Sequence, residues 1–138
     1  MTVLALGFTV IAILLILGTV AVTSLQLSRM RLLDAADGAA LDAADAFDVG
    51  AYQRGLGGAV GISPATVQQA ATDYLAQQPR PASILAWQVA PGTGSPDGQT
   101  AVVRLVGQAE VPFVGALLAA VGRSVTITVE SRARAAAL

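Results

Sequence analysis

From Met1 to Ser28 there is no charged side chain, and the charges then begin abruptly at Arg29 and Arg31. This constrains the chain more than any other feature. A helix needs about 20 apolar residues to cross the hydrocarbon core of a bilayer. Val3–Val22 meets that length with Leu, Ile, Val, Ala, Phe and two glycines, Gly7 and Gly18. Thr9, Thr19 and Thr23 fit the same helix, because a threonine hydroxyl can bond a carbonyl one turn back. Water rejects such a segment, so it belongs in lipid or in a core shared with other copies. Its helix-contact positions are Val3, Leu4, Gly7, Phe8, Ile11, Leu14, Leu15, Gly18 and Val22.

The helical pattern continues past this run. At 100° per residue, Asp34, Asp37, Asp42, Asp45 and Asp48 fall within an arc of about 140°. Ala35, Ala36, Ala39, Ala43, Ala46 and Phe47 lie opposite. Alanine is the strongest helix former, no proline interrupts the stretch, and Gly38 is its one weak point. One helix is therefore expected from about Thr2 to about Phe47, on the order of 70 Å long. Its small-residue face is expected to pack on a globular domain, and its acidic face to meet water or a neighbouring subunit. The aspartates do not read as a cation site, since one helix face supplies too few ligands.

The remaining chain, residues 49–138, is long enough for one small domain. Val49–Ile62, with five glycines, reads as a loop. Ser63-Pro64 opens a helix over 63–78, Ser63 as N-cap and Pro64 in the first turn. Val67, Ala70, Ala71, Tyr74 and Leu75 form its buried face. Strands are expected at 84–90, 100–111 and 124–134 from period-two alternation. Leu85, Trp87 and Val89 share one face of the first. Ala101, Val103, Leu105, Gly107, Ala109 and Val111 face inward on the second, and Val125, Ile127, Val129 and Ala133 on the third. Pro91–Gln99 reads as a flexible hairpin loop, and 113–122 as a short apolar helix. Opposing Arg104 to Glu130 gives an attractive cross-strand pair, whereas a two-residue slip opposes Arg104 to Arg132. The expected fold class is α+β: a long apolar N-terminal helix (1–28), an amphipathic extension (29–48), then one or two helices on a three-stranded, mainly antiparallel sheet.

Composition removes several function classes. The chain has no His, no Cys and no Lys. Disulfides, thiolate nucleophiles, His-based acid–base relays and Ser-Lys dyads cannot be built. Glu110 and Glu130, the two glutamates, fall on the polar side of the sheet. The arginines are scattered and the net charge is −1, so no nucleic-acid surface is expected. No catalytic residue, cofactor, metal or small-molecule substrate is expected. Arg29 and Arg31 read as membrane-edge residues. By the positive-inside rule alone they place the C-terminal domain in the cytoplasm, a bias that a removed basic leader would reverse. The apolar run is longer than the h-region of a cleaved secretory signal and has no basic residue before it.

The apolar run followed by Ser28-Arg29-Met30-Arg31-Leu32-Leu33-Asp34-Ala35-Ala36-Asp37-Gly38-Ala39-Ala40-Leu41-Asp42-Ala43-Ala44 resembles the N-terminal region of TadE/TadG-like proteins of the tight-adherence (Flp-type) pilus system. The opening Thr2-Val3-Leu4-Ala5-Leu6-Gly7 is similar to actinobacterial members. The general plan also resembles type IV pilins. The resemblance implies a C-terminal domain outside the cell, a single-pass membrane segment, and a structural role as minor pilin or pseudopilin in adhesion or secretion. It implies as partners the chain itself or other pilin-like subunits, pilus-assembly platform proteins and membrane lipid. The competing reading is a non-polymerising single-pass protein whose outer domain binds a secretion or assembly partner. Pilins usually carry glutamate at the fifth mature position; that position is Ala5 counted from Met1, and Ala12 if Gly7-Phe8-Thr9-Val10-Ile11-Ala12 is aligned with the pilin cleavage motif. Registration between subunits then relies on packing.

Overall fold

The computed structural model describes residues 1–53, 61–112 and 124–134, with side chains up to residue 46 in the first stretch. The first element, α1, is one unbroken helix over Thr2–Gln53. It outlasts the expected end near Phe47, so the start of the glycine-rich stretch is helical. A single glycine at position 50 costs about 1 kcal/mol of helix propensity, too little to end a helix this long. The rest of that loop, the side chain of Asp48 and the expected helix at 113–122 lie outside the described residues.

A second helix, α2, covers Pro64–Gln77. Pro64 occupies the first turn, but Ser63 makes no side-chain cap bond. Its carbonyl instead accepts from the backbone N–H of Thr66 and Val67. Val67, Ala71 and Leu75 are buried, and Ala70 and Tyr74 are half-buried against the same core. Strands β1 (Ile84–Val89), β2 (Thr100–Glu110) and β3 (Ser124–Arg134) form one antiparallel sheet in the order β1-β2-β3. The fold is therefore α+β, with β2 central.

β2 and β3 pair without interruption from Thr100 opposite Arg134 to Glu110 opposite Ser124. Arg104 stands opposite Glu130, the register that charge favours, and the two form an ion pair. Arg132 reaches the same carboxylate at 2.7 Å. Two guanidinium groups, Arg104 first, hold the Glu130 carboxyl below its ordinary range.

β1 departs from simple alternation. Ile84 pairs with Ala109 and Ala86 with Gln108, so Leu85 is an extra residue on its strand. This bulge turns Leu85 outward, where it is exposed, and leaves Ile84 buried with Trp87 and Val89 packed against the core. The expected common face of Leu85, Trp87 and Val89 is corrected accordingly: one inserted residue reverses the side for everything before it.

Pro91–Gln99 is also ordered rather than a free loop. Gly94 exchanges both backbone hydrogen bonds with Val102. Buried Thr93 donates its hydroxyl to the Ala90 carbonyl at 2.9 Å and accepts from the Arg104 N–H at 3.0 Å. Asp97 accepts from the N–H groups of Gln99 and Thr100 and from the Thr100 hydroxyl, which holds its pKa down at about 2. Gly98, at a φ of 70°, supplies the left-handed residue of this turn and accepts at its carbonyl from the Ile62 N–H.

α1 packs against β2, β3 and α2. The core is built from Leu32, Ala36, Ala39, Ala40 and Ala43 of α1, with Val67 and Ala71 of α2 and Val103, Leu105 and Val129 of the sheet. The helix approaches closely because its inward face is nearly all alanine. Leu32 fills the one place where the sheet offers no side chain: a Cβ at Gly107 would lie 3.0 and 3.2 Å from its two methyl groups. Gly38 has a similar use on the other flank, since Tyr74 of α2 lies directly over it and its hydroxyl occupies the space of a Cβ.

Candidate functional site: the N-terminal helix and its junction with the domain

Along α1 the side chains divide into two regimes. Up to Val20 almost every residue is exposed. Phe8 is 66% exposed and Val3 82%. The segment is apolar on all sides, with a mean hydropathy of 2.7 over its most apolar window, and that window has no buried residue. A helix apolar all round needs lipid or other helices around it. Thr9, Thr19 and Thr23 each donate a hydroxyl to the carbonyl four residues back, which removes the polar cost of placing them there.

The nine contact positions Val3, Leu4, Gly7, Phe8, Ile11, Leu14, Leu15, Gly18 and Val22 are all exposed and fall in one arc of about 140° at helical spacing. A Cβ at Gly7 or Gly18 would meet nothing within 4 Å. Nothing among the described residues therefore requires glycine at either position.

From Ser28 onward the domain covers one side. Ser28 and Leu32 are buried, and the opposite side carries Asp34, Asp37, Asp42 and Asp45, all exposed. The side chain of Asp48 lies outside the described residues. Ala46, expected on the packed face, is exposed. No ion pair among the described residues involves these aspartates. No group of three His, Cys, Asp or Glu among the described residues is placed to hold a metal ion.

The two arginines expected at the membrane edge differ. Arg31 donates to the Ser83 hydroxyl at 3.2 Å and borders a groove of about 250 Å³ with Asp34, Tyr74, Pro81 and Trp87. Arg29 is among the residues that line a separate groove of about 410 Å³ between α1 and the start of β3. The sequence did not reveal either groove. Each joins residues at least 40 positions apart, and neither has a local signature.

No curated protein and no solved structure matches this chain. The family model for Flp pilus-assembly TadE/G-like proteins matches residues 1–46. That stretch contains the apolar segment, the Arg-Met-Arg element and the Ala/Asp block. The first 46 residues of the chain are thus a TadE/G-like segment of the Flp pilus-assembly type.

Proposed function

We propose that the chain is a structural pilin-like subunit, a minor pilin or pseudopilin, of a Tad-type pilus or secretion apparatus. The observation that carries this reading is the division of α1 into two segments. Nearly all of its first 20 or so residues are offered outward, while the stretch from Leu32 to Ala44 builds the core of the folded unit. The same rigid helix thus joins a segment that water rejects to a folded α+β domain.

In the membrane, Val3–Val22 is a stored subunit. On assembly, contacts with neighbouring helices replace contacts with lipid. Gly7 and Gly18, bare of neighbours among the described residues, permit close helix approach. One isolated helix exposes a large apolar surface, so assembly is cooperative. The domain lies outside the cell in this reading, and the partners are other pilin-like subunits and the assembly platform. The role requires no catalytic group.

Mechanical shearing of cells that produce the protein tests this. Release of the chain in filaments supports the subunit role. Full retention in the membrane fraction supports the non-polymerising anchor instead. A full-length chain that stays monomeric in buffer without detergent refutes both.

A further inference from the structure

Among the described residues the sheet has two open edges, β1 and β3. On β2, Val102 exchanges both backbone bonds with Gly94, and the Arg104 carbonyl accepts from the Ala90 N–H, so both residues turn to the β1 side. Alternate residues of an antiparallel ladder turn to opposite neighbours. Leu105 and Gly107 therefore bond their partners Val129 and Ile127, which leaves the N–H and C=O groups of Thr126 and Thr128 on the outer edge of β3. The same count leaves those of Trp87 and Val89 on the outer edge of β1.

The two edges match. β1 has 6 residues and no charge. β3 is uncharged over the same length, from Ser124 to Val129, and its first charge is Glu130. Beyond residue 41, the large apolar side chains left exposed are Leu85 and Val125, one on each edge strand. Both strands are antiparallel to β2, so they run the same way.

We propose that β3 of one copy pairs in parallel with β1 of a second copy, continuing the sheet from chain to chain. An open strand edge is a template for such addition. The rows of the sheet set the register: Trp87, Gly107 and Ile127 form one row, and Gln88, Val106 and Thr128 the next. Setting Trp87 of the second copy beside Ile127 carries every row straight across. Thr128 then bonds Trp87 and Val89, Leu85 comes to Val125, and the two α1 helices stand at one level.

Charge favours the same neighbour. Arg29 lines the groove beside β3 and Asp34 the groove beside β1, about 140° apart around the helix. Neither takes part in an ion pair among the described residues. Joining the edges merges the grooves and sets Arg29 of one copy across from Asp34 of the next. Strand twist of about 20–25° over three steps inclines the second α1 by up to roughly 60–75°. Two helices sharing that angle each lean less than about 40°, within the range of membrane helices. A third would not, so the unit in a bilayer is a pair. The proposal rests on the reading that Val3–Val22 of both copies lies in one membrane, and it adds a contact between domains.

The chain has no cysteine, so introduced ones report without background. The test is mild oxidation of the full-length double variant Gln88→Cys/Thr128→Cys in its membrane. Within one chain these positions lie two strand spacings apart, about 9–10 Å, beyond the reach of a disulfide. The expected result is a disulfide-linked dimer. Neither single variant should link, and Ala86→Cys/Thr128→Cys, which is out of register, should link several times more slowly. Thr126→Pro removes an N–H that β2 does not use, so linking should be lost while the Trp87 melting transition survives. Arg29→Asp should slow linking by up to about fivefold, and adding Asp34→Arg should restore it.

Linking by Thr128→Cys alone would pair β3 with itself. Capture of a different protein by Thr128→Cys in cells, without self-linking, would give the edge to another partner. Linking that survives Thr126→Pro in a folded chain would rule out the ladder. Each of these overturns the proposal, as does an absence of linking in a chain that still requires detergent. That last result leaves the subunit role intact if shearing releases filaments. A chain that requires no detergent would refute the membrane reading beneath both.

Discussion

Leu32 offers the most direct test of how α1 is joined to the sheet. It is 1% exposed and is among the largest fully buried side chains of the protein. Leu32→Ala removes most of that side chain and leaves a cavity, a change that costs about 2–5 kcal/mol in protein cores. The cost depends on how well the surroundings collapse. Here the facing residue is Gly107, which has no side chain to move in, so the upper half of the range is expected, roughly 3–5 kcal/mol. For a unit of this size each kcal/mol lowers the melting temperature by about 4–8 °C. A fall of at least about 12 °C should follow.

Gly107→Ala alone is a different fault. Its methyl would stand 3.0 Å from one Leu32 methyl and 3.6 Å from Ile84 Cγ2, and overpacking of this kind costs about 1–3 kcal/mol. In the double variant the new methyl enters the space that Leu32 has vacated. The combined loss should then fall short of the sum by about 0.5–3 kcal/mol, the range for residues in contact. Trp87 stands opposite Gly107 in the β1–β2 ladder, and its fluorescence reports melting in detergent from the site itself. Additive losses, or a Leu32→Ala cost below about 1 kcal/mol, would mean that α1 is not seated through this pair.

Thr93→Val removes the hydroxyl that bridges the Ala90 carbonyl and the Arg104 N–H; the carbonyl keeps the Thr93 N–H, but leaving the Arg104 N–H unpaired costs about 1–3 kcal/mol, and that amide should exchange faster with solvent. Asp97 titrates at about 2 when folded against roughly 3.9 unfolded. Its contribution to stability is therefore present above the unfolded value and lost as pH falls through the folded one. Unfolding curves between those limits should show this acid step in the parent and lose it in Asp97→Asn. Gly38→Ala should destabilise the parent, because Tyr74 must leave its seat, and should stabilise a Tyr74→Ala background by up to about 1 kcal/mol of helix propensity. The same sign in both backgrounds would show that Tyr74 does not rest on Gly38. Arg104→Gln should move the Glu130 carboxyl back toward its ordinary range in an NMR titration, with Arg132 retaining part of the effect.

The geometry gives one helix two solvents. Along the first segment the apolar surface is left exposed by the described residues. Along the second, alanines let α1 lie close on β2 and β3, so the acidic face is left turned outward. A rotation of α1 by half a turn would bury the aspartates against the sheet, where no cation among the core residues could pair with them. The rotation of the helix on the domain is therefore set by charge as much as by packing. It also sets which residues reach the β3 groove.

Much of this was legible in the amino-acid order. The uncharged run, the Asp and Ala faces of α1, the α2 face and the alternation of β2 and β3 are repeats with periods of 3.6 or 2, and such repeats are carried by near neighbours in the chain. The Arg104–Glu130 register was legible too, because opposite and like charges discriminate between pairings two residues apart. The block from Ser28 to Ala44 carried the family resemblance within the same stretch that the TadE/G-like family model matches.

Only the tertiary structure decided the rest. The bulge at Leu85 arises where β1 pairs with Ala109 and Gln108, about 25 residues away, and no local period predicts it. Pro91–Gln99 has the glycines of a free loop, yet Val102, Arg104 and Ile62 supply the partners that order it. Gly38 and Gly107 look like weak points in a helix and a strand; their use appears only when Tyr74 and Leu32 are laid over them. The groove beside Arg29 joins α1 to residues about 100 positions later. Periodic patterns state which side of an element is buried, but what it is buried against depends on distant contacts, and at this protein's helix–domain junction those contacts make the candidate site.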